Sequence, residues 1–443
     1  MKIVLPEKVN KIITTLEAHG YEAYAVGGCV RDSMLGRVPQ DWDITTNAKP
    51  HQVKELFSHT IDTGIRHGTV TVMLSHEGFE VTTYRIDGEY EDARHPKKVE
   101  FTGNLLEDLK RRDFTINAMA YNEKSGLVDA FDGKGDLTRG VIRCVGRADE
   151  RFSEDALRML RAVRFAAQLG FSIEEETRAA ICRLAPNIAK VSAERIQTEL
   201  VKLLLSAHPD TLRTAYETGL TAVFLPEFDR MMECAQNNPH HCYSVGEHTL
   251  EAMRQSDCGK VVRLAMLLHD VAKPLCRSTD EEGVDHFYGH PKAGSEMAGA
   301  ILRRLKFDND TTDAVCRLVE WHDDNPALSG RGVRRAIHRV GERQYPALFA
   351  VKRADILAQS DFRRAEKLAY VAEYEQLYRQ IEKEQQCLSI QELAVDGNDL
   401  VALGMKPGKK LGEVLKSLLE LVLDEPECNT KERLLAEARK MIQ

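Results

Sequence analysis

The stretch GGCVRDSMLGRVPQDWDITT, residues 27–46, decides how the fold is read. It follows the apolar run YEAYAV (21–26), so two glycines close a strand and open a helix. That turn leaves backbone N–H groups free to approach a phosphate at Gly28, with Arg31 as a charged fork beside them. Asp41 and Asp43 stand at i and i+2 of the next expected strand, so both carboxylates share one face and Trp42 turns to the other. Two adjacent anions repel unless a cation lies between them, and Mg²⁺ held by carboxylates and substrate phosphate oxygens is the expected occupant. A polar loop with a helix cap is the plainer reading of the same D-x-D. Glu80, in FEVTTYR (79–85), is either a third carboxylate of the group or an exposed residue on a strand face.

Outward from this stretch, residues 7–19 have helical spacing, and strands are expected at 21–26, 41–45, 69–74 and 79–85. Residues 1–145 therefore read as mixed α/β. From Ser153 to Ile442 the spacing is helix upon helix, with no convincing strand, so an all-α region follows the α/β segment. Pro239 and the polar run KEQQCLS (383–389) break that region, giving expected segments 1–145, 146–238, 239–382 and 383–443.

A chain of 443 residues buries several cores, and 43% hydrophobic with 29% charged residues excludes wholesale disorder. Lys and Arg total 61 against 69 Asp and Glu, a net charge of 61 − 69 = −8, so any polyanion must be met by local patches. Arg139–Gln168 holds seven Arg against four acids, Arg331–Arg343 five Arg against one Glu, and Val401–Lys416 four Lys against one Glu. Each is either a binding patch or a solvated helix face. The ten Cys show no C-x-x-C pair, and no signal peptide or run of 18 apolar residues occurs. Reduced thiols, a cytoplasmic location, no membrane and no obligate protein partner are the expectations.

Three motifs in order, GGCVRDSMLGR with DWD, RRDFTINAMAY (111–121) and EDALRMLRAVRFAAQLGF (154–171), resemble the class II CCA-adding enzymes. These are tRNA nucleotidyltransferases of the polymerase-β superfamily. The resemblance covers about the first 170 residues. It implies a palm that binds tRNA, CTP and ATP, with Mg²⁺ held by Asp41 and Asp43. It further implies that Gly28 and Arg31 contact the triphosphate, and that Arg112, Asp113 and Asn117 hold the nucleotide and its ribose. YRIDGEYEDARHPKKVEF (84–101) resembles the family's flexible loop, and Arg161 and Arg164 continue a basic stripe as in the family.

The family's use of Asp155 and Arg158 has a chemical rationale. Ser153 is expected to cap a helix whose first turn carries Glu154 and Asp155, placing residues 155 and 158 on one face. A carboxylate accepts hydrogen bonds and a guanidinium donates them. Side by side they match the amino group and bare ring nitrogen of cytosine and adenine, and oppose uracil and guanine. An i, i+3 surface salt bridge is the alternative.

Beyond nucleotide addition, His248, His269-Asp270, His290, His322 and Asp355 follow the order of HD-domain phosphohydrolases. Imidazoles with carboxylates suit Mn²⁺, Fe²⁺, Ni²⁺ or Zn²⁺, the first ion on His248, His269, Asp270 and Asp355, and His290 and His322 available for a second. Such a domain either hydrolyses phosphoesters or keeps its fold without activity. Lys273 is placed to meet a phosphate. His240, His241 and Cys242 lack a fixed zinc spacing and are not read as a site. Residues 395–426 resemble the tail of HD-containing CCA-adding enzymes, with Lys409 and Lys410 aimed at a polyanion. Bacterial poly(A) polymerases share GG, DWD and RRDFTINA, and are disfavoured by EDALR, the loop and the tail. Enzymes adding only CC or only A, and a phosphohydrolase with an RNA-binding palm, are further alternatives.

Overall fold

In a computed structural model describing residues 2–87, 99–257, 259–343 and 345–442, the chain divides into two compact units, Met1–Pro226 and Glu227–Gln443. The resemblance to a flexible loop falls largely on residues 88–98, outside the described residues.

The first unit opens with helix α1 (Glu7–Ala18), which buries Val9, Ile12, Ile13 and Leu16, a stripe at three- and four-residue spacing. Its sheet contains β1 (Ala23–Val26), β2 (Ile44–Thr46), β3 (Thr60–Gly64), β4 (Thr69–Leu74), β5 (Glu77–Thr83) and the strands Met119–Asn122 and Gly126–Asp129. The order is β3-β4-β5-β2-β1, then 119–122, then 126–129. The β2–β5 pair is parallel and the other pairs are antiparallel, so the sheet is mixed. Alternation along β5 buries Phe79, Val81 and Thr83 and turns Glu80 to the opposite face.

The expected strand 41–45 is shorter than its sequence suggests and begins at Ile44. Its partner β1 ends at Val26, where Gly27 turns the chain with φ 83° into helix α2 (Gly28–Met34). Residues 41–43 lie beside that turn, tied to β1 by one bond from Val26 N–H to the Asp43 carbonyl, 2.9 Å. A second close approach occurs at Gly133, where a Cβ would stand 2.4 Å from the Thr115 carbonyl oxygen. The helix Gly133–Arg139 thus backs directly onto the turn Thr115–Asn117, which carries Asn117.

Short strands do occur after Ser153, contrary to expectation. Ser172–Ile173 pairs in parallel with Val141–Ile142, and Ser278–Thr279 pairs with Asp285–His286. Two-residue strands are too short to leave an alternation in the sequence. The rest of the second unit is helical. Val245–Gln255, Lys260–Leu268, His290–Arg304, Asn309–Trp321 and Tyr345–Ala358 surround one core, followed by Arg364–Lys383, Lys409–Asp424 and Lys431–Ile442.

Two of the basic patches are largely paired with acids of the chain itself. Between 331 and 343, Arg331 and Arg335 pair with Asp424, Arg339 pairs with Asp324, and Arg334 donates to the Leu423 carbonyl. Arg331, Arg334 and Arg335 fasten the helix Gly330–Val340 to the helix Lys409–Asp424. Between 139 and 168, Arg139 and Arg143 meet Asp136, Arg151 and Arg158 meet Glu154, and Arg161 and Arg164 meet Asp113 and Glu199. Lys406, Lys409 and Lys410 of the third patch are exposed. Among the described residues no helix is long and apolar enough to cross a membrane, and the described cysteines are free.

Candidate active site and metal centre

Asp41, Trp42, Asp43 and Glu80 line a cleft of about 710 Å³ in the first unit. Because Ile44 pairs with Val81, the residues just before them, Asp43 and Glu80, stand side by side at the sheet edge of this cleft. Burial pushes the Asp43 carboxyl above its ordinary range, Arg112 pulls it down and Asp41 adds repulsion. Burial and the charges of Asp43 and Asp41 likewise raise Glu80. Three carboxylates gathered on one cleft form a donor set short of a cation, and oxygen-only ligands with that charge fit Mg²⁺.

Behind the cleft lies a buried ionic chain. Arg31 donates two hydrogen bonds to Asp32, both 2.9 Å, and one to Asn117 Oδ1, 2.7 Å. Asn117 donates to Asp113 Oδ1 at 3.2 Å, and Arg161 grips Asp113 Oδ2 through Nε and Nη2 at 2.9 and 2.6 Å. Arg164 pairs with buried Glu199 at 2.6 Å. Arg31, Arg161 and Arg164 also surround the Phe165 ring, their guanidinium carbons 5.1, 5.4 and 3.7 Å from its centroid. Arg112 lies between Asp108 and the Gly27 turn, where a Cβ would stand 3.0 Å from its Nη1. The structure thus brings Gly28, Arg31, Arg112, Asp113, Asn117, Arg161 and Arg164 into one region. Asp32 and Glu199, which sequence reading passed over, are the carboxylates that hold it. Their signal was present, since a buried Arg needs an acceptor, but only the fold shows which one.

Asp155 and Arg158 differ from expectation. Ser153 lies inside the helix Ala148–Glu154, and Asp155 is the extended residue at its end, before the helix Leu157–Leu169. The two side chains therefore do not share a helix face. Asp155 accepts from Arg195 at 2.7 and 3.2 Å and from the Leu157 N–H, while Arg158 donates to Glu154 and to the Arg111 carbonyl. Asp155 ends the first helix as its C-cap residue rather than riding in the first turn of one long helix, and Ala156 opens the second. Arg195, its partner, is a further residue the sequence reading missed.

The second cluster is built from helix ends. His269 and His322 follow the helices Lys260–Leu268 and Asn309–Trp321, whose last carbonyls lack helical donors. Their Nδ1 atoms meet the Met266 and Val319 carbonyls at 2.8 and 2.7 Å. His290 Nδ1 meets the Phe287 carbonyl at 2.7 Å and His248 Nδ1 the Ala358 carbonyl at 3.3 Å. Each contact puts the neutral-ring proton on Nδ1 and leaves Nε2 with a bare lone pair. Those four Nε2 atoms converge: His248 lies 3.2 Å from His269, and His290 3.3 Å from His322.

Asp270 stands between the two pairs. Its Oδ2 is 3.2 and 3.7 Å from His269 and His248 Nε2, and its Oδ1 is 3.4 and 3.7 Å from His290 and His322 Nε2. Asp355 Oδ1 lies 2.9 Å from His248 Nε2. Neither buried Asp270 oxygen has a hydrogen-bond partner, though the Lys273 ammonium stands 2.8 Å from Oδ2. Burial opposes charge on Asp270, yet His269 and Lys273 hold its carboxyl well below the ordinary range. Burial and His269 push His322 down to about 3. Lone pairs facing lone pairs across a buried carboxylate are what a cation satisfies, so the donor set fits a metal ion. Two ligand groups result, His248, His269 and Asp270, and Asp270, His290 and His322. His240 and His241 lie outside both, bonded to Lys367 and packed edge-on against His248.

The fold and carboxylate cleft define the first unit as a nucleotidyltransferase head of the polymerase type. Residues 23–143 match the Poly A polymerase head domain, 170–232 the "Probable RNA and SrmB- binding site of polymerase A", and 290–438 tRNA nucleotidyltransferase domain 2. A CCA-adding enzyme of Lactobacillus delbrueckii subsp. bulgaricus is 56% identical over 414 residues, 93% of this chain and 92% of that one. One of Geobacillus kaustophilus is 38% identical over 438 residues, 97% and 96% of the two chains. The crystal structure of the Bacillus stearothermophilus CCA-adding enzyme in complex with CTP is 30% identical, covers 99% of this chain and 98% of its own, and has a TM-score of 0.74. The chain belongs to the CCA-adding enzyme family.

The buried ionic chain predicts an acid-sensitive first unit. Burial opposes ionisation of Asp113, but Arg161, Arg158 and Asn117 hold its carboxyl at about 2, below 3.8 for the free group. A depressed value in the folded state gives stability that is present above 3.8 and lost as pH falls through about 2, on the order of 2 kcal/mol. Urea unfolding across that window should show a shallower pH slope in Asp113→Asn than in wild type; equal slopes would contradict the assignment.

Proposed function

We propose that this chain is a template-independent CTP/ATP:tRNA nucleotidyltransferase that adds or repairs the 3′-terminal CCA of tRNA. The observation that carries the reading is near-full-length identity of up to 56% to CCA-adding enzymes, joined to Asp41 and Asp43 on an open cleft. In this reading Asp41 and Asp43 hold Mg²⁺, with Glu80 beside them. When bound, Mg²⁺ supplies positive charge for the triphosphate and lowers the pKa of the attacking tRNA 3′-hydroxyl. Arg31 and Arg112 orient the phosphates, with Gly28 giving close backbone approach. Arg161 keeps Asp113 ionised, so Asp113 and Asn117 present fixed acceptors and donors to the nucleotide. Asp155, fixed as an acceptor by Arg195, and Arg158, a pure donor, choose cytosine and adenine. Full-length kinship to CCA-adding enzymes favours this reading over a poly(A) polymerase. The division into palm 1–145, body 146–238, metal-binding segment 239–382 and tail 383–443, and a cytoplasmic location, belong to the same proposal.

Asp41→Ala and Asp43→Ala should each reduce addition of C and A to a truncated tRNA by about a hundredfold or more, since the metal site contributes several kcal/mol. Addition within about tenfold of wild type would refute the assignment. For Asp155→Ala and Arg158→Ala the expected change is in selectivity, with UTP and GTP incorporated, because a half-satisfied polar pair loses about 1–3 kcal/mol of discrimination. A uniform slowing with unchanged base choice would make the pair purely structural.

For the second cluster we propose a transition-metal centre, Mn²⁺, Fe²⁺, Ni²⁺ or Zn²⁺, on His248, His269, Asp270 and Asp355, with His290 and His322 holding a second ion through Asp270. Support comes from the four inward Nε2 atoms and the buried Asp270 carboxylate between them. A metal-bound water there suits phosphoester hydrolysis, and a 2′,3′-cyclic phosphate at a damaged tRNA 3′ end is the proposed substrate. The double variant His269→Ala/Asp270→Ala should lose metal and hydrolysis while keeping CCA addition. Normal metal content by elemental analysis in that variant would overturn the ligand set.

A further inference from the structure

A cavity of about 320 Å³ adjoins the metal cluster and shares His322 and Asp355 with it. It is lined by Ile356, Tyr370 and Val371 and by two ammonium groups, Lys352 and Lys367. Lys352 is buried, donating to the His322 carbonyl at 2.9 Å and to Asn325 at 3.4 Å. Lys367 donates to His240 Nδ1 at 3.0 Å and to Gln359 Oε1. Each ammonium has three N–H groups and two such acceptors, so one donor on each is left for a ligand. Among the acids lining the cavity, Asp355 belongs to the metal cluster and Glu366 pairs with Arg363 at 2.7 Å.

We propose that this cavity is a subsite for the nucleotide preceding the scissile phosphoester, with its phosphate on Lys352 and Lys367 and its base against Tyr370 and Ile356. The inference rests on reading the metal cluster as a phosphoester hydrolase and specifies its substrate class: an RNA 3′ end rather than a free nucleotide. The volume is that of a small-ligand site, and apolar side chains alternating with two charges along its two helices suit a base joined to a phosphate. Gln359 links the two sites. Its amide donates to Asp355 Oδ2 at 3.0 Å while its oxygen accepts from Lys367, so occupancy at Lys367 bears on a metal ligand's orientation. His240, outside the metal cluster, acquires a role in holding Lys367.

The test uses the full-length, metal-loaded protein with two substrates, cytidine 2′,3′-cyclic phosphate and the dinucleotide cytidylyl-cytidine 2′,3′-cyclic phosphate. The dinucleotide should be preferred in kcat/KM by about tenfold or more, through KM, as a charge-assisted phosphate contact implies. Lys367→Gln and Lys352→Met should bring that ratio toward one. Lys352 is buried against the His322 carbonyl and its variant can lose metal, so half-buried Lys367 is the decisive position, with metal content measured for both. Equal kcat/KM for the two substrates in wild type, or a preference untouched by Lys367→Gln, would overturn the subsite. Calorimetric titration of the dinucleotide separates the failures. Binding weakened by Lys367→Gln without hydrolysis by wild type overturns the hydrolase reading and supports the subsite; hydrolysis with lysine-independent binding does the reverse.

Discussion

Asp113 is buried, and burial alone would drive its carboxyl toward the neutral form. Arg161 reverses this, and the consequence spreads in both directions along the chain. An ionised Asp113 fixes Asn117, Asn117 fixes the guanidinium of Arg31, and Arg31 lies on the helix that the GG turn opens. On the other side, Arg161 and Arg164 share Glu199, which stands on the helix Ala193–Leu204. One compensated charge therefore registers the turn Thr115–Asn117 and three helices of the first unit, Gly28–Met34, Leu157–Leu169 and Ala193–Leu204. Three guanidiniums around Phe165 repel one another, and burial with Arg161 nearby lowers Arg164 to about 10. The arrangement persists because each cation has its own carboxylate.

The two sites solve opposite problems with the same residue types. In the ionic chain, every buried charge meets its counterion within the protein, and the result is rigidity. In the metal cluster, helix-end carbonyls take the Nδ1 protons and leave four lone pairs with no proton to share. Burial works against charge on His269, but Asp270 and Asp355 favour positive charge there. A metal ion is the stronger form of that charge. The Asp41, Asp43 and Glu80 group has the same deficit in a milder, more exposed form, which suits an ion that arrives with substrate phosphates.

The sequence made both sites legible because their residues come in short runs whose spacing survives folding. GG, RRD and HD each place chemistry at a turn or an element end, and the structure puts them there, while D-x-D, expected within a strand, lies just before it. Sheet strands at 69–74 and 79–85 were legible because alternation runs through them. What the sequence withheld is pairing between distant carriers. EDALR read as one capped helix, because Ser-Glu-Asp is a good helix start, yet the chain breaks at Asp155, whose carboxylate is held by Arg195 forty residues on. The arginine-rich run 331–343 resembled a polyanion surface, and no local rule shows that Asp424 and Asp324 neutralise it. Lys352 and Lys367 carried no motif at all, since a lysine in an amphipathic helix is ordinarily solvated.

Charge placement also explains how one acidic chain serves a polyanion. With a net charge of −8, long-range attraction to RNA is absent, and two of the three basic runs are neutralised internally. Positive charge left for a ligand is then concentrated where the acids are already engaged: at Arg112 beside the carboxylate cleft, at Lys352 and Lys367 beside the metal cluster, and at the exposed Lys409 and Lys410. Local cations set among carboxylates reward a ligand that brings phosphates to particular points and penalise one that merely spreads negative charge along the surface. Such a distribution favours recognition of a defined RNA end over nonspecific binding along a strand, which is what end-directed nucleotide addition requires.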